Sequence, residues 1–134
     1  MIRVTVYNEF LHEKTDDNVK AIYPEGIHNA LKEHLTDDDI TVKTVTLDNV
    51  EDITDELLSN TDVLIWWGHM AHEKVPDEIA ARVQKAVVSG MGAIFLHSAH
   101  HSKPFKLLMG TPCSLGWRET ATVSMFGFVT PHTR

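Results

Sequence analysis

Nine histidines occur among the 134 residues of the chain, and six of them follow stretches that are typical of β-strands. These six lie in three polar segments, at residues 8–12, 68–73 and 97–102. They are His12, His69, His72, His97, His100 and His101. Neutral imidazole binds zinc and other divalent ions well, and it also carries protons near neutral pH. The histidines therefore predict a site for metal binding or for acid–base catalysis.

A metal site would combine some of these histidines with a carboxylate. Glu9 follows the first predicted strand, so Glu9, His69, His97 and His100 are the candidate ligands for Zn²⁺ or a similar divalent ion. In a catalytic site one coordination position would stay open for water or a sugar oxygen. The prediction depends on clustering, because His69-x-x-His72 lacks the i, i+4 spacing of the helical zinc motif.

Four residues are candidates for the catalytic groups: His97, Ser98, His72 and His101. Ser98 follows a predicted strand through a turn of small residues, as in a nucleophile elbow, where a neighbouring histidine would act as base. The G-x-S-x-G pattern is not met, because Leu96 and His100 stand in place of the glycines. Ser98 is thus either a nucleophile or an ordinary turn or helix N-cap residue.

Hydrophobic patterning predicts the elements that must position these residues. Strands are predicted at residues 3–7, 40–47, 62–67 and 93–96, the last two buried because their apolar residues are consecutive. Helices are predicted from 27 to 35, over 50–59, from 76 to 90 and over 104–109, with a polar loop through His12. This alternation predicts an α/β fold, a three-layer, doubly wound and mainly parallel sheet. Ligands bind such sheets beyond the carboxyl ends of the strands, where Glu9 and the six histidines fall.

Composition excludes several classes of protein. The net charge is −7 without a basic cluster, which argues against nucleic acid as a partner. The longest apolar run, at residues 63–67, is too short to span a membrane. A single cysteine, Cys113, excludes an internal disulfide and favours the reducing cytoplasm. We expect a cytoplasmic protein whose partner is a small molecule.

Aromatic residues near the same edge are candidates for binding a sugar, because aromatic faces stack on sugar rings. Trp66 and Trp67 end the third predicted strand, and one of them is expected in the core while the other walls a pocket. We take Trp67, together with Tyr23 and His28 near the start of the first helix, as the substrate-binding candidates.

Five blocks of sequence resemble the ThuA-like (trehalose utilisation) family. In order they are Asn8-Glu9-Phe10, Tyr23-Pro24-Glu25-Gly26-Ile27-His28, Trp66-Trp67-Gly68-His69, Leu96-His97-Ser98-Ala99-His100 and Cys113-Ser114-Leu115-Gly116-Trp117-Arg118-Glu119. The resemblance implies a flavodoxin-like fold of the class I glutamine amidotransferase-like superfamily. It also implies a part in the use of trehalose and related disaccharides through keto-sugars. Amidotransferases carry a cysteine at the elbow, where this chain has His97-Ser98, so thiol-based glutamine hydrolysis is not expected.

The resemblance covers residues 3–119, and residues 120–134 depart from it. We therefore expect a single ThuA-like domain over residues 1–134 that is truncated at its C-terminus. An incomplete sheet would leave an apolar edge and favour a homo-oligomer.

Three functions follow from these observations. The first is a metal-assisted enzyme acting on a disaccharide or keto-sugar. The second is a metal-free Ser/His hydrolase. The third is a non-catalytic sugar-binding or structural protein.

Overall fold

Four apolar segments form one parallel β-sheet with strand order β2-β1-β3-β4. The strands are β1 (Ile2–Asn8), β2 (Ile40–Thr46), β3 (Val63–Trp67) and β4 (Gly92–Phe95). The computed structural model describes residues 1–119 and 124–129, with side chains described as far as Cys113. The parallel α/β sheet predicted from the sequence is confirmed.

Within the described residues, six α-helices accompany the strands. They are α1 (His12–Thr15), α2 (Asp17–Ile22), α3 (Ile27–Leu35), α4 (Asp55–Ser59), α5 (Asp77–Val88) and α6 (Lys103–Met109). Short 3₁₀ helices occupy Leu47–Asp52, His72–Lys74 and Ala99–His101. Two further strands, β5 (Ser114–Glu119) and β6 (Ser124–Val129), pair in an antiparallel manner. Among the described residues no helix is long and apolar enough to cross a membrane.

Two hydrophobic cores lie on opposite faces of the sheet, because successive side chains of a strand point to opposite sides. The first is formed by Val4, Val6, Val42 and Ile65, with Leu31 and Leu35 of α3 packed against them. The second includes Tyr7, Leu64 and Trp66 with Ile79 and Val83 of α5. Helices thus cover both faces, and the predicted three-layer arrangement is confirmed.

The predicted loop through His12 and the predicted helix over 50–59 are both wrong in detail. The first region forms α1 and α2, and the Asp16 side chain caps α2 by accepting hydrogen bonds from the amides of Asn18 and Val19. The second region divides into a 3₁₀ helix and α4, because the Thr54 hydroxyl starts a new helix by accepting from the amide of Leu57. Short capped helices carry too little periodicity to be recognised.

The prediction that β4 is buried is also wrong. Within the described part of the chain β4 pairs only with β3, which makes it an edge strand. Ile94 is 49% exposed for that reason. The apolar run of β3 is covered on both faces as expected, with Leu64, Ile65 and Trp66 buried.

The strand order places a crevice between the carboxyl ends of β1 and β3. The chain passes from β1 to β2 on one side and then returns to form β3 on the other. Asn8 and Trp67 are partners in register, so both strands end at the same level. Such a reversal of strand order is where open α/β sheets bind ligands. The segments that begin with Glu9 and Gly68 border this crevice.

Candidate active site

Glu9 ties the two sides of the crevice together. Its side chain is only 3% exposed. Oε2 accepts hydrogen bonds from the main-chain amides of His69 (2.5 Å) and Met70 (3.1 Å), and Oε1 accepts a second one from Met70 (2.7 Å). The carboxylate therefore holds the start of the loop that follows β3.

The candidate metal ligands are not brought together as a set. Both oxygens of Glu9 are occupied by the amides of His69 and Met70. In the described ranges no three His, Cys, Asp or Glu side chains form a group that could hold a metal ion. The arrangement of Glu9, His69, His97 and His100 therefore does not fit a preformed metal centre.

His69 and Ser98 form a hydrogen-bonded pair across the crevice. Nδ1 of His69 lies 2.6 Å from Oγ of Ser98, and Oγ donates to the carbonyl oxygen of Gly68 at 3.3 Å. A hydroxyl has one proton, and a carbonyl oxygen can only accept. If the Ser98 hydroxyl donates its hydrogen bond to the Gly68 carbonyl, the hydrogen bond between Ser98 and His69 needs a proton on Nδ1. The Nδ1–H of His69 is then the donor and Oγ of Ser98 the acceptor. Of the two neutral tautomers only this one satisfies both contacts together, and it leaves a lone pair on Nε2 of His69.

Two aromatic rings lie nearly parallel to the imidazole of His69. The His12 ring has its centroid 5.3 Å away with 13° between the planes, and the Trp67 ring lies at 6.4 Å and 21°. Trp67 is itself held, because its Nε1 donates to the carbonyl oxygen of His97 at 2.9 Å. Its neighbour Trp66 is buried and stacks on Tyr7. Trp66 is thus the core residue, and Trp67 is half-buried beside the site.

The remaining histidines of this edge form a second group. The His100 ring lies 4.0 Å from that of His101 and 5.7 Å from that of His97, and His72 lies 6.3 Å from His101. Burial lowers the pKa of His72 and of His100 below 6.5, and neighbouring imidazoles lower both further, while Glu9 opposes the shift at His72. Both imidazoles therefore favour the neutral form that accepts protons. Nδ1 of His100 is buried and has no hydrogen-bond partner among the described residues.

His28 belongs to a buried polar network beside the crevice. Its ring is 6% exposed, and Nδ1 lies 2.9 Å from Nδ2 of Asn8. The same Asn8 amide donates to Oε1 of Glu13 (2.8 Å), while its Oδ1 accepts from the amide of Phe10. With both amide protons of Asn8 donated, Nδ1 of His28 is an acceptor and the ring is neutral. His28 thus supports the end of β1 from inside, whereas Tyr23, the other candidate on this side, is exposed.

A family model described as trehalose utilisation (ThuA) matches residues 3–131. The chain belongs to the ThuA family. A search of curated proteins gives no match. The matched region includes every residue of the crevice and extends past Glu119, where the motifs recognised in the sequence stop. The truncation expected for this ThuA chain stays a prediction.

Glu13 of the ThuA chain was missed by sequence reasoning, and His12, one of the six histidines at this edge, was given no role in the site. Glu13 is 2% exposed, and its Oε1 also accepts from the amide of Ile27, so it joins β1 to the start of α3. His12 was assigned to a polar loop, yet it stacks on His69. The only signal in the sequence was the charge pattern directly after a predicted strand, which is equally typical of a solvated loop.

Acid is expected to destabilise this ThuA domain through His28. Burial, the largest effect, lowers the pKa of His28, and the charge of Lys14 adds to it, while Glu13 opposes the shift. Below about pH 6.5 the unfolded chain takes up a proton that the folded ring resists, so the free energy of unfolding falls as the pH falls. Urea unfolding of the wild type and of His28→Gln between pH 7.5 and pH 5 tests this, and the variant should show a shallower pH dependence.

His34→Gln is the matched control, because His34 is exposed on the same helix. That variant should keep the pH dependence of the wild type. Equal slopes for the wild type and His28→Gln would show that His28 is not the group responsible.

Proposed function

We propose that this ThuA-family chain is an enzyme of disaccharide or keto-sugar metabolism in which Nε2 of His69 is the general base. The observation that carries the proposal is the chain of hydrogen bonds from His69 through Ser98 to the carbonyl of Gly68. A base whose second ring nitrogen is held by a partner has a defined tautomer and a lone pair aimed outward. His69 is exposed at the crevice where α/β sheets bind their ligands.

Sugar chemistry offers two protons that such a base could take. One is a hydroxyl proton, and the other is the proton on the carbon next to a keto group, which the carbonyl makes acidic. A neutral imidazole has the basicity to take either near neutral pH when it lies within hydrogen-bond reach. His72 and His101, whose ring centroids lie 6.3 Å apart in the second histidine group, are the candidates to move a proton to or from the product.

Trp67 is the best supported of the proposed sugar contacts. Its half-buried ring lies with its centroid 6.4 Å from that of His69, so a sugar ring that stacks on Trp67 would lie close to the proposed base. Tyr23 is an exposed candidate for the outer part of the substrate. His28 would act indirectly, through Asn8 and the end of β1.

Ser98 could either orient His69 or act as the nucleophile, and Ser98→Ala distinguishes these two mechanisms. If Ser98 only orients His69, Ser98→Ala should lower kcat about 10–100-fold with little change in KM, as is typical of residues that orient a functional group. The 2.6 Å contact also supports the alternative in which Ser98 is a nucleophile activated by His69. In that case the loss should be about 10⁴-fold or more.

The assay uses trehalose and its keto derivative, with products separated by chromatography. Ser89→Ala is the matched control, since Ser89 is exposed at the end of α5. Calorimetric binding of trehalose without any turnover would contradict the enzyme proposal and support a sugar-binding protein.

A divalent metal remains a prediction from the clustering of histidines, and the same assay addresses it. Protein purified without a His-tag should be analysed for zinc, and turnover should be compared before and after EDTA. Turnover that survives EDTA supports acid–base chemistry by His69 alone. Turnover that is lost with EDTA and restored by Zn²⁺ would contradict it. The cytoplasmic location and the self-association also stay predictions.

A further inference from the structure

We propose that His12 is a positioning residue for His69, an inference that rests on the proposed role of His69 as the base. The two rings are nearly parallel, with their centroids 5.3 Å apart and 13° between their planes. His69 is exposed, and an exposed imidazole samples several orientations about its terminal torsion. A ring packed along its face restricts that torsion.

The helix that carries His12 is anchored on both sides. Glu13, the next residue, is buried, and its Oε1 accepts from Nδ2 of Asn8 (2.8 Å) and from the amide of Ile27 (3.0 Å). These bonds join α1 to the end of β1 and to the start of α3. His12 therefore approaches the crevice from a fixed backbone, although α1 has only four residues.

The outer edge of the His12 ring lies near a carboxylate. Its Nε2 lies 3.8 Å from Oδ2 of Asp16, one turn later. The other oxygen of Asp16 accepts from the amides of Asn18 and Val19 at the start of α2. Asp16 is thus fixed by its capping bonds and presents a carboxylate oxygen to His12.

Three contacts fix the position of His69. Ser98 holds Nδ1, Glu9 holds the main-chain amide, and His12 lies along the face of the ring. Functional groups keep their geometry only when neighbouring packing and hydrogen bonds lock their rotamers. Loss of His12 should therefore weaken the bond between His69 and Ser98 without removing any group that touches substrate.

The experiment measures the tautomer of His69 directly by long-range ¹H–¹⁵N NMR of the histidine side chains. In the wild type His69 should show a protonated Nδ1 and a free Nε2. His12→Ala should shift this signal toward the Nε2-protonated form, and His12→Phe, which keeps an aromatic face, should preserve the wild-type signal. His34→Ala is the matched control on α3 and should change nothing at His69.

Kinetics give a second readout. His12→Ala should lower kcat for keto-trehalose about tenfold with an unchanged KM, as expected from a small misplacement of the base, and His12→Phe should restore it. Asp16→Asn keeps a good helix cap and should give a smaller shift of the His69 tautomer, which keeps the test available if His12→Ala unfolds.

Two results would overturn the proposal. One is an unchanged His69 tautomer in His12→Ala, and the other is a His12→Phe variant that behaves like His12→Ala. The NMR signal needs no substrate. Absence of turnover in the wild type would therefore count against the proposed enzyme function alone, while the tautomer still decides the role of His12.

Discussion

His69→Gln is expected to lower kcat by about 10²–10⁴-fold, which is the usual contribution of a general base. Glutamine keeps much of the length of the side chain and its polarity, but its amide has no nitrogen lone pair that can take a proton near neutral pH. The substrate should still bind through contacts such as that of Trp67, so KM should change little. Steady-state kinetics on trehalose and its keto derivative measure both constants.

The structure makes this variant a clean test. The bond from His69 to Glu9 uses the main-chain amide, which the substitution retains. Because the side chain is exposed, the free energy of unfolding should change by less than about 0.5 kcal/mol. His34→Gln provides the control for removing an exposed histidine elsewhere. Full activity of His69→Gln would rule out His69 as the base and leave the second histidine group as the candidate.

Glu9→Ala is expected to destabilise the protein by about 3 kcal/mol, since a hydrogen bond to a charged group contributes about 1.5–3 kcal/mol and the amides of two residues donate to this buried carboxylate. The amides of His69 and Met70 would lose their acceptor, and a cavity would open at the end of β1. Urea unfolding at neutral pH measures the loss as a lower midpoint. Activity should fall as well, because the loop that carries His69 loses its tie to β1.

Glu9→Gln and Glu33→Ala complete the test of Glu9. Glutamine offers one acceptor oxygen to the two amides and should cause a smaller loss than alanine. Glu33 is exposed on α3, so its removal should change stability by no more than about 0.5 kcal/mol. If Glu9 were instead a metal ligand, EDTA would destabilise the wild type to the level of Glu9→Ala and leave the variant unchanged.

The sequence by itself determined the architecture. The consecutive apolar residues of β3 and the helical spacing in α3 and α5 are local signals, and burial of those residues is what drives the chain to fold. The order of elements predicts a parallel sheet, and the loops after the strands, which carry Glu9, His69 and Ser98, are then expected at one edge of that sheet. The location of the candidate site was therefore predictable from the positions of its histidines.

Only the tertiary structure shows which contacts each residue makes there. Glu9 was predicted as a metal ligand, but it lies against the amides of His69 and Met70, 60 and 61 residues later in the chain. Ser98 was considered as a nucleophile or a turn residue, and the structure adds its contacts with Nδ1 of His69 and with the carbonyl of Gly68. His12 was assigned to a loop, yet it stacks on a ring far along the chain. Each role depends on contacts between residues distant in sequence, and periodicity and local composition carry no record of such contacts.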